Sequence, residues 1–162
     1  MAIKLKTLSK TELKTLTKLK GEVSFRDSYG HRMRVGTNGL KACSVYNTSK
    51  WFNWTAKQRK EIKPILGEEL FNKALQVWFL DFPKIDGFLD EMNYWVDKPE
   101  SGTILAWNIG PDAKFILDGE ELLIGKGEGL VFHLSQLHEV KRSHNGQSWI
   151  CVMVRGAPEK FA

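Results

Sequence analysis

The chain has 162 residues, 42% hydrophobic and 27% charged, the balance of a globular domain, and its six Trp and nine Phe exclude a chain that is disordered throughout. Two cysteines, Cys43 and Cys151, exclude a disulfide scaffold and fit a reducing cytoplasm, and no apolar run reaches the length of a signal peptide core or a membrane span. The net charge of +5 is unevenly divided, with 16 Lys/Arg against 6 Asp/Glu in residues 1–80 and 8 against 13 in residues 81–162, so the first half presents cations either to an acidic partner such as nucleic acid or to plain solvent.

One domain is expected over 1–162, with helices and hairpin strands in a basic segment, residues 1–97, and the closing strands in residues 98–156. Residues 8–20 read as a helix: Ser9 or Thr11 caps it, Leu13, Leu16 and Leu19 share a face, and Gly21 ends it. Lys10, Lys14 and Lys18 repeat every fourth residue on the opposite face, a stripe suited to phosphate contacts or to solvation. Residues 22–46 read as two or three antiparallel strands, with turns at Tyr29-Gly30 and Asn38-Gly39.

Helical pattern returns over 55–79. Thr55 caps a short basic turn with Lys57, Arg59, Lys60 and Lys63; Pro64 interrupts it; a second helix is expected from Gly67 to Phe79 on the apolar set Leu70, Phe71, Ala74, Leu75, Val77 and Trp78. Trp51, Phe52 and Trp54 stand before this pair, placed to anchor a core or to stack on bases. Asp81-Phe82-Pro83 starts a loop, and Lys98 to Gly102 form a turn.

From Thr103 the pattern is that of short, evenly spaced strands. T-I-L-A-W-N-I and A-K-F-I-L are two, Asp118-Gly119 turns tightly into E-E-L-L-I, and Gly125, Gly127 and Gly129 punctuate before L-V-F-H-L. His138–Arg142 and Ser148–Arg155 flank a turn at Asn145-Gly146, with His138 expected to be exposed just ahead of a hairpin. G-K-G-E-G lacks the spacing of a phosphate loop and reads as a turn between strands, and Ser135, His138 and Glu139 lie too close in sequence to form a triad. With helices packed outside the strands, the fold class is α+β around a β-barrel core.

The order P-D-A-K-F-I-L-D-G-E-E, G-K-G-E-G-L-V-F, L-H-E-V and a final strand resembles aspartyl/asparaginyl β-hydroxylase-type oxygenases, over about the last third of the chain. The resemblance implies a double-stranded β-helix of the jelly-roll, cupin-like kind, and an activity using non-haem Fe(II) and 2-oxoglutarate. It places the distal iron ligand at His138, in His138-Glu139-Val140. It also implies a second histidine upstream, but no His lies between His31 and His133; Asp86, Asp90 and Asp97 supply carboxylates in that region, none in an H-x-D arrangement. Where the family places an arginine for the cosubstrate carboxylate this chain has Ser148, which makes no bidentate charged contact. A facial triad needs two imidazoles and one carboxylate, so His138 with Asp90 or Asp97 is a weak metal set unless His31, His133 or His144 joins it.

The first expectation is therefore a non-catalytic or degraded oxygenase-fold binding module, cytoplasmic and without membrane contact. Its basic surface of Lys14, Lys18, Lys57, Arg59, Lys60 and Lys63 would face nucleic acid or an acidic partner. The alternative is an Fe(II)/2-oxoglutarate dioxygenase with an atypical metal site at His138, and a third reading is a homo-oligomeric assembly protein.

Overall fold

Local capping starts the helices where the sequence pattern puts them. In a computed structural model, which describes residues 3–22, 26–27, 41–45, 54–82, 91–94, 102–133, 135–141, 145–156 and 158–161, α1 spans Lys10–Glu22. Of the two candidate caps, Ser9 is the one used: its Oγ accepts from the Glu12 N–H at 3.1 Å while the Glu12 carboxylate accepts from the Ser9 N–H at 2.9 Å. Thr55 and Gln58 make the same reciprocal pair at the start of α2, Ala56–Leu66. Gly21 does not end α1, which runs on to Glu22. Nor does Pro64 break α2. It stands in the last turn, where its missing N–H forfeits one bond, and buried Ile62, Ile65 and Leu66 hold that turn on the core. Gly67 ends α2 with φ at +86°, in the left-handed region that favours glycine.

The helix expected over 67–79 is two different elements. A short α3 covers Glu68–Lys73, and the chain then enters strand β4, Gln76–Phe82. β4 is an interior strand with both faces covered, so its apolar residues run almost continuously and imitate a helix face. Its last residues, Asp81 and Phe82, belong to the strand and not to a loop.

The remaining strands are β1 Ile3–Lys4, β2 Arg26–Asp27, β3 Lys41–Val45, β5 Glu91–Tyr94, β6 Thr103–Asn108, β7 Ala113–Leu117, β8 Glu120–Ile124, β9 Gly129–His133, β10 His138–Lys141 and β11 Gln147–Val154. They form two antiparallel sheets, ordered β1-β9-β6-β11-β4-β3-β2 and β5-β10-β7-β8. The β7–β8 hairpin turns at Asp118-Gly119 with φ of +49° and +83°, the double positive φ that a two-residue hairpin demands. β2 and β3 pair antiparallel. The turns at Tyr29-Gly30 and Asn38-Gly39, the aromatics Trp51 and Phe52, and the turn at 98–101 lie outside the described residues. Asn145-Gly146 closes no hairpin, because β10 belongs to the smaller sheet and β11 to the larger, and the chain crosses between sheets there. The Gly125–Gly129 stretch is a strand-to-strand turn, closed by the Glu128 N–H on the Gly125 carbonyl at 3.0 Å and tied to β6 by the Gly127 N–H on the Asn108 carbonyl at 2.7 Å.

Strand alternation gives the large sheet two apolar faces. Leu105 and Trp107 of β6, Val131 of β9, Ile150 and Val152 of β11, and Val77 and Phe79 of β4 meet Leu16, Leu19, Ile62 and Ile65 of the helices. Trp54 joins this layer, buried and stacked on Phe79 at 5.6 Å, so it acts as a core anchor. Ile104, Ala106, Leu130, Phe132, Trp149 and Cys151 point the other way and share a second core with Ala113, Phe115, Leu117 and Ile124 of the small sheet. Each fully buried Leu or Ile contributes about 1.5–3 kcal/mol by leaving water. The helices therefore lie on one outer side of the strands, as expected, and the space between the sheets is a separate interior.

Candidate functional site

β10 carries His138 into that inter-sheet interior. The residue is 4% exposed, which corrects the expectation of an exposed histidine, and the reason is its place in a strand paired on both sides, with β5 and β7. Its ring lies parallel to Phe115 at 6.5 Å and tilted against Phe132 at 4.9 Å. Trp149 packs on the same Phe115 at 6.2 Å. The His138 Nδ1 is 2.7 Å from the Gln136 carbonyl oxygen. A carbonyl only accepts, so Nδ1 carries the proton and Nε2 the lone pair of the neutral ring. Burial pushes the His138 pKa below the ordinary histidine value, opposed by the Gln136 carbonyl and by the Asp118 carboxylate.

Asp118 organises the turn beneath this histidine. Its carboxylate accepts from Gln136 Nε2 at 2.8 Å and from the Leu137 N–H at 3.1 Å, and its own N–H donates to the Leu137 carbonyl at 2.8 Å. The β7–β8 turn is thereby tied to the β9–β10 turn, which fixes the entry of His138 into its strand. Asp118 was singled out from the sequence only as a turn residue, and Gln136, Phe115, Phe132 and Trp149 were not singled out. Strand alternation counted back from Cys151 through Trp149 is the signal that could have found the inward set.

The other expected site residues do not gather there. Ser148 lies on the opposite face of β11, where its Oγ accepts from Lys20 Nζ of α1 at 2.8 Å. Its neighbours Gln147 and Trp149 are buried on the inward side, with Gln147 Oε1 accepting from Trp149 Nε1 at 3.2 Å. His133 alternates with Phe132 and so faces away from His138. Its Nδ1 accepts the Ser135 N–H at 3.1 Å and sits 2.6 Å from Ser135 Oγ, within its own turn. Asp86, Asp90, Asp97, His31 and His144 lie outside the described residues. Among the described residues no three His, Cys, Asp or Glu side chains group as a metal site. One imidazole does not amount to a facial triad, so the described residues by themselves do not fit an Fe(II) centre.

The basic residues occupy the outer helical layer. Lys18 bridges to Glu61 of α2 at 3.0 Å and to Glu22 at 3.5 Å. Lys63 reaches Glu68 at 3.8 Å and lies over the Phe71 ring, and Arg59 donates to the Trp54 carbonyl at 3.4 Å. Lys14, Lys57 and Lys60 are exposed and, among the described residues, carry no ion pair.

Comparison with known proteins agrees with the architecture. The chain is similar in structure to an oxidoreductase of the 2OG-Fe(II) oxygenase family from Burkholderia pseudomallei, with a TM-score of 0.61 at 12% identity over 97% of this chain and 88% of that one. It is similar also to a predicted oxalate decarboxylase from Thermotoga maritima, with a TM-score of 0.50 at 13% identity over 84% and 96%. No family model matches the chain, and no curated protein matches it in sequence. At these identities the likeness shows the fold alone: an α+β protein with a cupin-like, 2-oxoglutarate-oxygenase-like fold. No helix among the described residues is long and apolar enough to cross a membrane.

Proposed function

We propose that the chain is an oxygenase-fold binding module that meets an acidic partner, nucleic acid being the first to test, through the cations of α1 and α2. The observation that carries this reading is the Lys18–Glu61 bridge, which draws one stripe of α1 against one stripe of α2. Lys14 stands four residues before Lys18 and Lys57 four residues before Glu61, so each lies about 6 Å along its helix from the bridge. Lys60 adjoins Glu61. Lys14, Lys57 and Lys60, which carry no ion pair among the described residues, thus stand on the two helices that the bridge joins. The aromatic packing around His138 gives that interior the character of a core.

The test is fluorescence anisotropy with labelled duplex and single-stranded oligonucleotides over a range of salt concentrations. Three phosphate contacts give a log–log salt slope of about −3 on duplex, and the triple variant K14E/K57E/K60E loses both the affinity and the slope. Absence of binding at low salt, or an unchanged slope in the variant, refutes the reading.

One observation favours a second reading, an Fe(II)/2-oxoglutarate oxygenase with an atypical site. His138 is neutral and donates Nδ1–H to a backbone carbonyl, the arrangement that fixes Nε2 for a metal. His138 would hold the metal with a carboxylate such as Asp90 or Asp97, and the bound metal would supply oxygen activation with 2-oxoglutarate. Cosubstrate consumption that depends on Fe(II) and disappears in His138→Ala supports this reading over the first.

A further inference from the structure

On the helical side of the large sheet, across the strands from His138, lies a groove of about 850 Å³. Clefts that hold small organic ligands measure about 300–1,000 Å³. Leu105 and Trp107 of β6 form its base, Leu70 of α3 and Phe161 of the C-terminal 3-10 turn (Pro158–Phe161) line its sides, and Arg155 and Lys160 reach it from the end of the chain. It sits where Gly67 turns α2 into α3.

The charges along this groove do not cancel. Lys6 is held by Glu12 at 3.4 Å and donates to the Ile65 carbonyl at 2.7 Å. Lys73 and Glu69 pair at 2.7 Å, and Glu68 faces Lys63 at 3.8 Å. Both carboxylates of the lining are thereby matched to a lysine. Arg155 and Lys160 are exposed and, among the described residues, carry no ion pair. Both line the groove, and the backbone beside Arg155 approaches the other cation: a Cβ placed on Gly156 would lie 3.6 Å from Lys160 Cδ and 3.8 Å from the Phe161 ring. An aliphatic and aromatic trough thus carries two cations that, among the described residues, have no carboxylate partner.

We propose that this groove binds a small organic carboxylate with an apolar body, the acid group on Arg155 and Lys160 and the acyl or aryl part over Leu105, Trp107 and Leu70. The guanidinium offers paired donors that match a carboxylate, and the ammonium adds a second charge. The site is independent of the helical cations at Lys14, Lys57 and Lys60 and of the interior at His138.

Isothermal titration with decanoate and with decan-1-ol, both below their aggregation limits, tests the proposal on the full chain. Decanoate is expected to bind one to one and at least about tenfold more tightly than the alcohol, and R155Q/K160Q to lose about tenfold for decanoate alone, the scale of two solvent-facing ion pairs. Both substituted side chains are exposed, and an unchanged melting curve of R155Q/K160Q excludes misfolding as the cause. Leu70→Glu is expected to abolish binding of both compounds, and His138→Phe to alter neither. Equal affinity for acid and alcohol, or decanoate affinity unchanged in R155Q/K160Q, overturns the proposal. Loss in His138→Phe overturns it too, by moving the ligand to the inter-sheet interior. If decanoate does not bind while Leu70→Glu converts a dimer to a monomer in light scattering, the groove is an interface between copies and the proposal fails.

Discussion

Replacing His138 with phenylalanine isolates the cost of charging a buried imidazole. In the unfolded chain the residue titrates near about 6.5. In the fold its pKa is lower, chiefly because burial between the sheets disfavours the cation. Below about pH 6.5 the unfolded state therefore binds more protons than the folded one, and stability falls as pH falls until the lowered folded value is reached. One group sets the ceiling of this slope at about 1.4 kcal/mol per pH unit. Above about pH 7.5 both states hold a neutral ring and the contribution vanishes. Phenylalanine keeps a flat ring between Phe115 and Phe132 and removes the titration. Urea unfolding of both proteins at about pH 7.5, 6.5 and 5.5 gives the comparison, since the two differ by this one titrating ring. The wild type should lose stability relative to His138→Phe as pH falls through this range, approaching about 1.4 kcal/mol per unit at the steepest. Parallel curves, or a wild type that gains stability on acidification, refute the placement of a neutral imidazole in the interior.

Asn108 is fully buried, donates to the Pro111 and Ile124 carbonyls at 2.9 and 2.8 Å and accepts the Gly110 N–H at 2.9 Å. Asn108→Ala strands these backbone groups and should cost about 2–4 kcal/mol in urea unfolding. A Cβ on Gly129 would stand 2.6 Å from Trp107 Cδ1 and 2.9 Å from the Ala106 carbonyl oxygen. Gly129→Ala should therefore lose about 1–3 kcal/mol, with a changed Trp emission spectrum as the second readout. Thr55→Ala removes the side-chain cap of α2 and should lower stability by about 1 kcal/mol, whereas Thr55→Ser should stay within a few tenths.

Local rules carried the regions of the fold that local chemistry decides. The serine and threonine caps, the Asp118-Gly119 turn and the strands from Thr103 onward are written in short-range signals, and the structure places them where those signals point. β4 was misread because a strand covered on both faces loses the two-residue alternation that marks a strand, and Leu70 to Trp78 then satisfies a helical period equally well. Pro64 and Gly21 were given too much weight as breakers, since each stands in a last turn that tertiary packing holds.

The site was legible in outline only. His138 was found from its motif, but its burial depends on strand partners far away in sequence. Ser148 was reached by counting residues from His138, and a count across a crossing between sheets does not fix which face a side chain takes. The large sheet's own alternation does fix it, and sends Ser148 to Lys20 and its neighbours inward.

The most direct test of the account is iron retention and 2-oxoglutarate turnover by the purified full chain, measured anaerobically and then aerobically beside His138→Ala. The account predicts no stoichiometric Fe(II) in either protein and cosubstrate consumption at the same background level in both. One equivalent of tightly held iron with turnover that His138→Ala abolishes contradicts it, and makes the interior at His138 an active site.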